Sequence, residues 1–184
     1  MRWDQVARLS KIDHVCVLFQ GWYFSPSVWE HWLGILETSY DIVLFWDIYN
    51  PPASSDWESL LGVADVIDIY AWSLGGLLAM DVISENPGRI NHLITFNSFP
   101  CFSAKDNWPG VSTDLKKILN DNLDDPKKFK KQFLLPSAMG GVNTKAELDH
   151  LSKHVYKDEA DPEKTKRSHK YLLDVLFDLD IRET

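Results

Sequence analysis

The chain has 184 residues and a mass of 21.2 kDa, enough for one sizeable hydrophobic core and little for a second. Its 45% hydrophobic and 25% charged residues exclude a disordered chain, and a formal net charge of −8 argues against a nucleic-acid partner. No apolar run approaches the roughly 20 residues of a membrane span, and the opening Met-Arg-Trp-Asp-Gln lacks a following apolar signal core, so no membrane partner and a cytoplasmic location are expected.

The first element is a strand over residues 13–20, nearly continuously apolar as in a sheet covered on both faces. A turn from Gly21 leads into a helix from Val28 to Leu36, with Ser27 as its N-cap. A second strand runs from Tyr40 to Trp46 and ends at Asp47 before the turn Asn-Pro-Pro. A short helix follows over residues 56–64, then a strand from Val66 to Trp72, a helix from Leu74 to Ser84 stopped by Asn-Pro-Gly, and a strand from Ile90 to Phe96. Strands alternating with helices imply a mostly parallel α/β sheet with helices on both faces.

Beyond Phe102 the pattern changes. Residues 103–112 are irregular, and from Asp114 to Arg182 the chain reads as helix and loop without a convincing strand. This divides the chain into an α/β core over residues 1–111 and a helical lid over residues 112–184. Charge divides in the same way: the first part holds 5 Lys and Arg against 13 Asp and Glu, the second 14 of each. Cys16 and Cys101 sit in apolar surroundings and read as buried thiols rather than a disulfide or metal pair. No cofactor and no metal are expected.

The stretch Ala71-Trp72-Ser73-Leu74-Gly75-Gly76 carries the chemistry. A strand passing into a helix through one serine flanked by small residues is the nucleophile-elbow pattern, here with Ala71 in place of the first glycine. So tight a turn brings backbone against backbone, and it exposes the Ser73 hydroxyl at the carboxyl edge of the sheet, where open α/β folds bind ligands. The N–H of Leu74 can then face a developing oxyanion. The alternative is that Ser73 merely caps the helix that follows. A second loop, Gln20-Gly21-Trp22-Tyr23, follows the first strand, where such folds place the other oxyanion donor; the Trp22 N–H is the candidate. Its alternative is an ordinary strand-ending turn.

Three segments go further than the elbow: Gly-Trp-Tyr-Phe-Ser-Pro-Ser-Val-Trp from residue 21, the elbow itself, and Ser-Phe-Pro-Cys-Phe-Ser-Ala-Lys-Asp-Asn-Trp-Pro-Gly over residues 98–110. With Phe-Leu-Leu-Pro-Ser-Ala-Met-Gly-Gly and the closing Leu-Asp-Val-Leu-Phe-Asp-Leu-Asp-Ile-Arg, they resemble the pimeloyl-[acyl-carrier-protein] methyl ester carboxylesterases of biotin synthesis. The resemblance implies an α/β-hydrolase fold with a helical lid, and cleavage of a methyl ester from a pimeloyl chain borne on acyl carrier protein. It makes Ser73 the nucleophile, the N–H groups of Trp22 and Leu74 the oxyanion hole, and Trp22, Trp72 and Phe133 residues that meet the acyl chain. Lys127, Lys128, Lys130, Lys131 and Lys145 match the basic lid region that docks the acidic carrier protein. Independently, Asp125-Pro126 reads as a helix start, after which Phe129 and Phe133 share one face while the lysines project elsewhere.

The family pattern continues beyond the lid into strands that carry an acid and then a histidine, whereas this sequence ends at Thr184 without either motif. The last strands of the family fold are therefore expected to be missing, leaving a sheet edge open to self-association. His14, His31 and His92 read as structural or surface residues, and His150, His154 and His169 belong to the lid. Asp47 and Asp106 are candidate reoriented acids, and the catalytic Asp and His remain unassigned. Alternatives to the esterase are a catalytically impaired homologue that binds acyl carrier protein or needs a partner chain, and a generic short-chain carboxylesterase or thioesterase.

Overall fold

The computed structural model describes residues 2–6, 8–105, 107–139, 142–158 and 160–183, with Pro126 and Lys130 described by their backbone alone. Four strands form one parallel sheet in the order β2-β1-β3-β4: β1 Ile12–Phe19, β2 Ile42–Trp46, β3 Ala64–Trp72 and β4 His92–Phe96. Successive side chains of a strand point to opposite faces, and β1 follows that rule. Val15, Val17 and Phe19 join a core with Ile67, Ile69, Ala71 and the helices α3 (Ser54–Val63) and α4 (Leu74–Ser84). Cys16 and Leu18 join Trp29, Leu36 and Val43 on the other face, under α2 (Glu30–Leu36). Both faces are covered, which explains why β1 and β3 read as runs of apolar residues rather than as alternations. Both cysteines are buried and free, and burial pushes the Cys16 thiol up to about 12.

The two sheet edges differ. At β2, the indole N–H of Trp3, on α1 (Trp3–Val6), donates to the Phe45 carbonyl at 2.8 Å. Among the described residues β4 pairs with β3 alone, and His92 and Thr95 stand exposed.

Element boundaries depart from the sequence expectation in instructive places. The segment expected to be a helix from Val28 begins as a 3-10 turn, Pro26–Trp29, and becomes α-helical only at Glu30. Ser27 is not its N-cap: Pro26 starts the turn, and the Ser27 hydroxyl instead meets Ser25 Oγ at 2.6 Å and His154 Nδ1 at 2.8 Å. β3 begins two residues early because α3 passes into it at Ala64 with no loop between them.

The later helices are α5 Asp114–Asn122, α6 Pro126–Phe129, a π-helical turn Lys130–Leu134, α7 Leu135–Ala138, α8 Thr144–Lys153 and α9 Pro162–Asp178. Asp125 Oδ1 accepts the N–H groups of Lys127 and Lys128 at 3.1 Å each, as an N-cap does. The amphipathic α9 is pinned at both ends. Asp161 Oδ1 caps its start through Lys164 N–H, and the Ser103 hydroxyl donates to the Phe177 carbonyl near its end.

Residues 98–110, the most distinctive stretch of the sequence, act as the strap that holds this end of α9. The Trp108 indole donates to the Cys101 carbonyl at 2.8 Å, and Cys101 bridges Asp180. Asp180 also binds Arg182 and Lys105, whose charges hold its carboxyl well below the usual range.

Candidate active site

β3 delivers Ser73 to its carboxyl end, and α4 starts at the next residue. Ser73 has φ 55° and ψ −123°, a conformation that costs a non-glycine residue strain and that persists where the surroundings impose it. Those surroundings are visible. Ser73 N–H donates to the Phe96 carbonyl at 2.9 Å, while the Ser73 carbonyl accepts from Gly76 N–H at 3.0 Å and from the Ser98 hydroxyl at 2.7 Å.

Gly75 is required because a Cβ there would lie 2.5 Å from the Gln20 carbonyl oxygen and 2.8 Å from the Phe19 carbonyl carbon. The start of α4 is thus packed directly on the end of β1. The hydroxyl of Ser73 makes no cap to α4, and among the described residues it hydrogen-bonds to nothing. The capping alternative is removed.

The loop after β1 arrives beside this corner. A Cβ on Gly21 would stand 3.3 Å from Ser73 Cβ, so the Gly21–Trp22 backbone lies against the serine. Tyr23 takes φ 76°, which turns the loop sharply, and its N–H donates to the Tyr49 hydroxyl at 2.8 Å. Among the described residues no hydrogen bond engages the N–H of Trp22 or of Leu74. Leu74 opens α4, where helical N–H groups lack internal partners and carry the positive end of the dipole.

A cavity of about 510 Å³ opens at the corner, within the size range of small-ligand pockets. Gly21, Trp22, Trp72, Ser73, Asn97 and Phe133 are among the residues that line it, together with leucines of α5 and α9. Trp22 is 2% exposed and meets Phe129 and Phe133 edge-on at 5.6 and 5.2 Å. The sequence-derived residues Trp22, Trp72, Ser73 and Phe133 therefore share one wall. Lys127, Lys128, Lys131 and Lys145 are exposed on α6, the π turn and α8. Lys128 pairs with Asp125 at 3.7 Å, and no ion pair engages Lys127, Lys131 or Lys145 among the described residues. The side chain of Lys130 lies outside the described residues.

The histidines are placed elsewhere. His14 and His92 flank Asp68, at 3.3 and 3.1 Å, five residues of strand before Ser73 and so about 16 Å from it along the sheet. Burial raises the Asp68 carboxyl, but hydrogen bonds from Asn91, Tyr40 and His92 prevail and lower it overall.

His169 is fixed. Its Nδ1 lies 2.7 Å from the Tyr49 hydroxyl, its carbonyl accepts from the Trp22 indole at 2.8 Å, and its ring stacks on Tyr23. Burial pushes its pKa down to about 4. His154 is held by Ser27 and Glu30, and His150 stacks on His31.

Asp47 accepts from Gln20 Nε2, Tyr49 N–H and Asn50 Nδ2, and so is consumed by its own turn. Asp106 lies outside the described residues. The Tyr49–His169 pair, which ties α9 to the Trp22 loop, had no signal in the sequence, since 120 residues separate the two.

No protein-family model matches the chain. Among known sequences it is similar to proteins named pimeloyl-[acyl-carrier protein] methyl ester esterase. It is 33% identical over 126 residues to the one from Legionella pneumophila strain Corby, covering 64% of this chain and 52% of that protein. It is 32% identical over 148 residues to the one from Aeromonas hydrophila, covering 73% and 58% respectively. The chain thus spans about half the length of these relatives. In fold it is similar to an esterase from Exiguobacterium antarcticum, with a TM-score of 0.66, 15% identity, and 92% of this chain and 68% of that one covered. A hydrolase from Oleispira antarctica gives 0.65 with 15% identity, covering 99% and 74%.

Proposed function

Starting from a chain that is an α/β-hydrolase related in sequence to the pimeloyl-[acyl-carrier protein] methyl ester esterases, we propose that Ser73 is the nucleophile of a serine carboxylesterase. The observation that carries this reading is the strained, uncapped serine lining an apolar cavity, beside two backbone N–H groups, of Trp22 on the neighbouring loop and Leu74 at the start of α4, that no hydrogen bond engages among the described residues.

Ser73 Oγ attacks the ester carbonyl, forming a C–O bond and losing its proton to a base. The negative charge that develops on the carbonyl oxygen is met by the N–H groups of Leu74 and Trp22. Collapse breaks the bond to the methoxy oxygen, which leaves as methanol with a proton. Water then cleaves the acyl-serine and returns the free carboxylate.

The substrate that the relatives' name supports is the methyl ester of a pimeloyl chain on acyl carrier protein. The chain's apolar stem suits the wall formed by Trp22, Trp72 and Phe133. Residues 112–184 serve as the lid, with Lys127, Lys128, Lys130, Lys131 and Lys145 as the face toward the acidic carrier. Here the reading places the reaction in biotin synthesis.

One observation favours a second reading. No imidazole among the described residues hydrogen-bonds to Ser73 Oγ, and a serine without its base loses several powers of ten in rate. In that reading the chain binds the acyl carrier without turnover, or turns over only when another chain segment brings the base.

Labelling by a fluorophosphonate, measured beside hydrolysis of the pimeloyl-carrier methyl ester, separates the readings. Turnover lost in Ser73→Ala supports the esterase. Carrier binding without labelling or turnover supports the second reading, and labelling that survives Ser73→Ala removes the nucleophile assignment.

A further inference from the structure

Away from the Ser73 cavity, docking of α8 on α2 gathers four titratable side chains that no expectation from sequence had joined. The side-chain ligand atoms of Glu30, His31 and His150 all lie within 4.8 Å of one another. The rings of His31 and His150 stack with centroids 4.6 Å apart.

A fourth residue stands beside the group. His154, at the end of α8 and 5% exposed, stands between Ser27 Oγ, 2.8 Å from its Nδ1, and Glu30 Oε1, 3.2 Å from its Nε2.

We propose that Glu30, His31 and His150 bind a divalent transition ion of the Zn2+ class. The donor set decides the class. Two imidazoles and one carboxylate suit zinc and its neighbours, whereas calcium and magnesium select oxygen-only cages. Bond lengths near 2.1 Å put tetrahedral ligand atoms about 3.4 Å apart, so the three side chains close inward by about 1 Å on binding. Glu30 and His31 are exposed and His150 is half-buried, which leaves their side chains room to move. The fourth position is left to water or a small anion.

The location gives the ion a role. Glu30 and His31 belong to the helix over the sheet, and His150 belongs to α8. At the same junction Ser25 N–H donates to the His154 carbonyl, and Tyr156 N–H donates to the Tyr23 carbonyl. The ion clamps α8 onto the helix that follows the Trp22 loop. Metal binding is read independently of Ser73 labelling, so failure here and failure of the esterase reading are distinguishable.

The test is titration of the full chain with Zn2+ in competition with a chromogenic chelator, and with Co2+ followed by its visible absorption. One ion per chain is expected, with affinity falling tenfold or more in His31→Ala and in His150→Ala, and tetrahedral Co2+ bands lost in both. His92→Ala, an exposed histidine on another face, is expected to bind like the wild type. Helix content and the thermal midpoint without metal, measured on each variant, show that it is folded. Absence of stoichiometric binding by the wild type, or equal affinity in folded His31→Ala and His150→Ala, overturns the proposal.

Discussion

Acid should loosen the attachment of α9 to the Trp22 loop, and His169 sets the pH range. Its ring is buried and neutral beside Tyr49 and Tyr23, and burial carries its pKa from the ordinary 6.5 down to about 4. Between those values the unfolded chain binds a proton here and the folded chain does not. The site's contribution is therefore complete above pH 6.5 and is lost as pH falls toward 4. The full gap corresponds to ~3 kcal/mol, of which about 2 kcal/mol disappears between pH 7 and pH 5.

Depressed carboxylates such as Asp180 titrate below this window and do not obscure it. The assay is urea unfolding at pH 7 and pH 5, on the wild type and on His169→Gln, which keeps a polar group for Tyr49 but cannot titrate. The variant should be less stable at neutral pH, and its loss on acidification should be smaller by about 2 kcal/mol. An equal loss in both proteins would show that the ring does not carry the proton linkage.

Other substitutions probe the elbow, the hub and the lid. Gly75→Ala puts a methyl group against the Gln20 and Phe19 backbone and should cost about 1–3 kcal/mol in thermal or urea unfolding, together with any Ser73 labelling. Gly34→Ala, in α2 with open space around it, should instead stabilise by roughly 0.5–1 kcal/mol in the same assay. Tyr49→Phe removes the acceptor of Tyr23 N–H and the partner of His169; a loss of about 1–3 kcal/mol is expected, with near-normal stability counting against the hub. Reversing charge at Lys127 and Lys131 to Glu should weaken carrier-protein binding by about 1–2 kcal/mol at low salt and flatten its salt dependence. Unchanged affinity in a binding titration would exclude this face.

The strands and the corner at Ser73 were readable because their causes are local. A buried parallel strand demands a continuous apolar run, and a serine elbow demands small neighbours whose collisions can be foreseen from the backbone alone. Ser27 misled because Pro26, one residue earlier, starts a 3-10 turn that moves the helix start to Glu30. Ala64 misled because α3 and β3 meet without the loop that normally punctuates a sequence. What escaped altogether depends on docking across long separations. Tyr49 finds His169, and His31 finds His150, only after the late helices fold back over the sheet. Sequence spacing carries no trace of such meetings.

The inequality of the two sheet edges has a geometric outcome. Trp3 occupies one carbonyl on the β2 side, whereas β4 on the other side pairs with β3 alone among the described residues. Ser73 N–H is already tied to Phe96, the last residue of β4, and Asn97 just beyond it lines the cavity. Any strand laid parallel to β4, from whatever source, would therefore discharge its following loop beside the serine hydroxyl. The open edge is a berth whose far end faces Ser73, whose hydroxyl has no hydrogen-bond partner among the described residues.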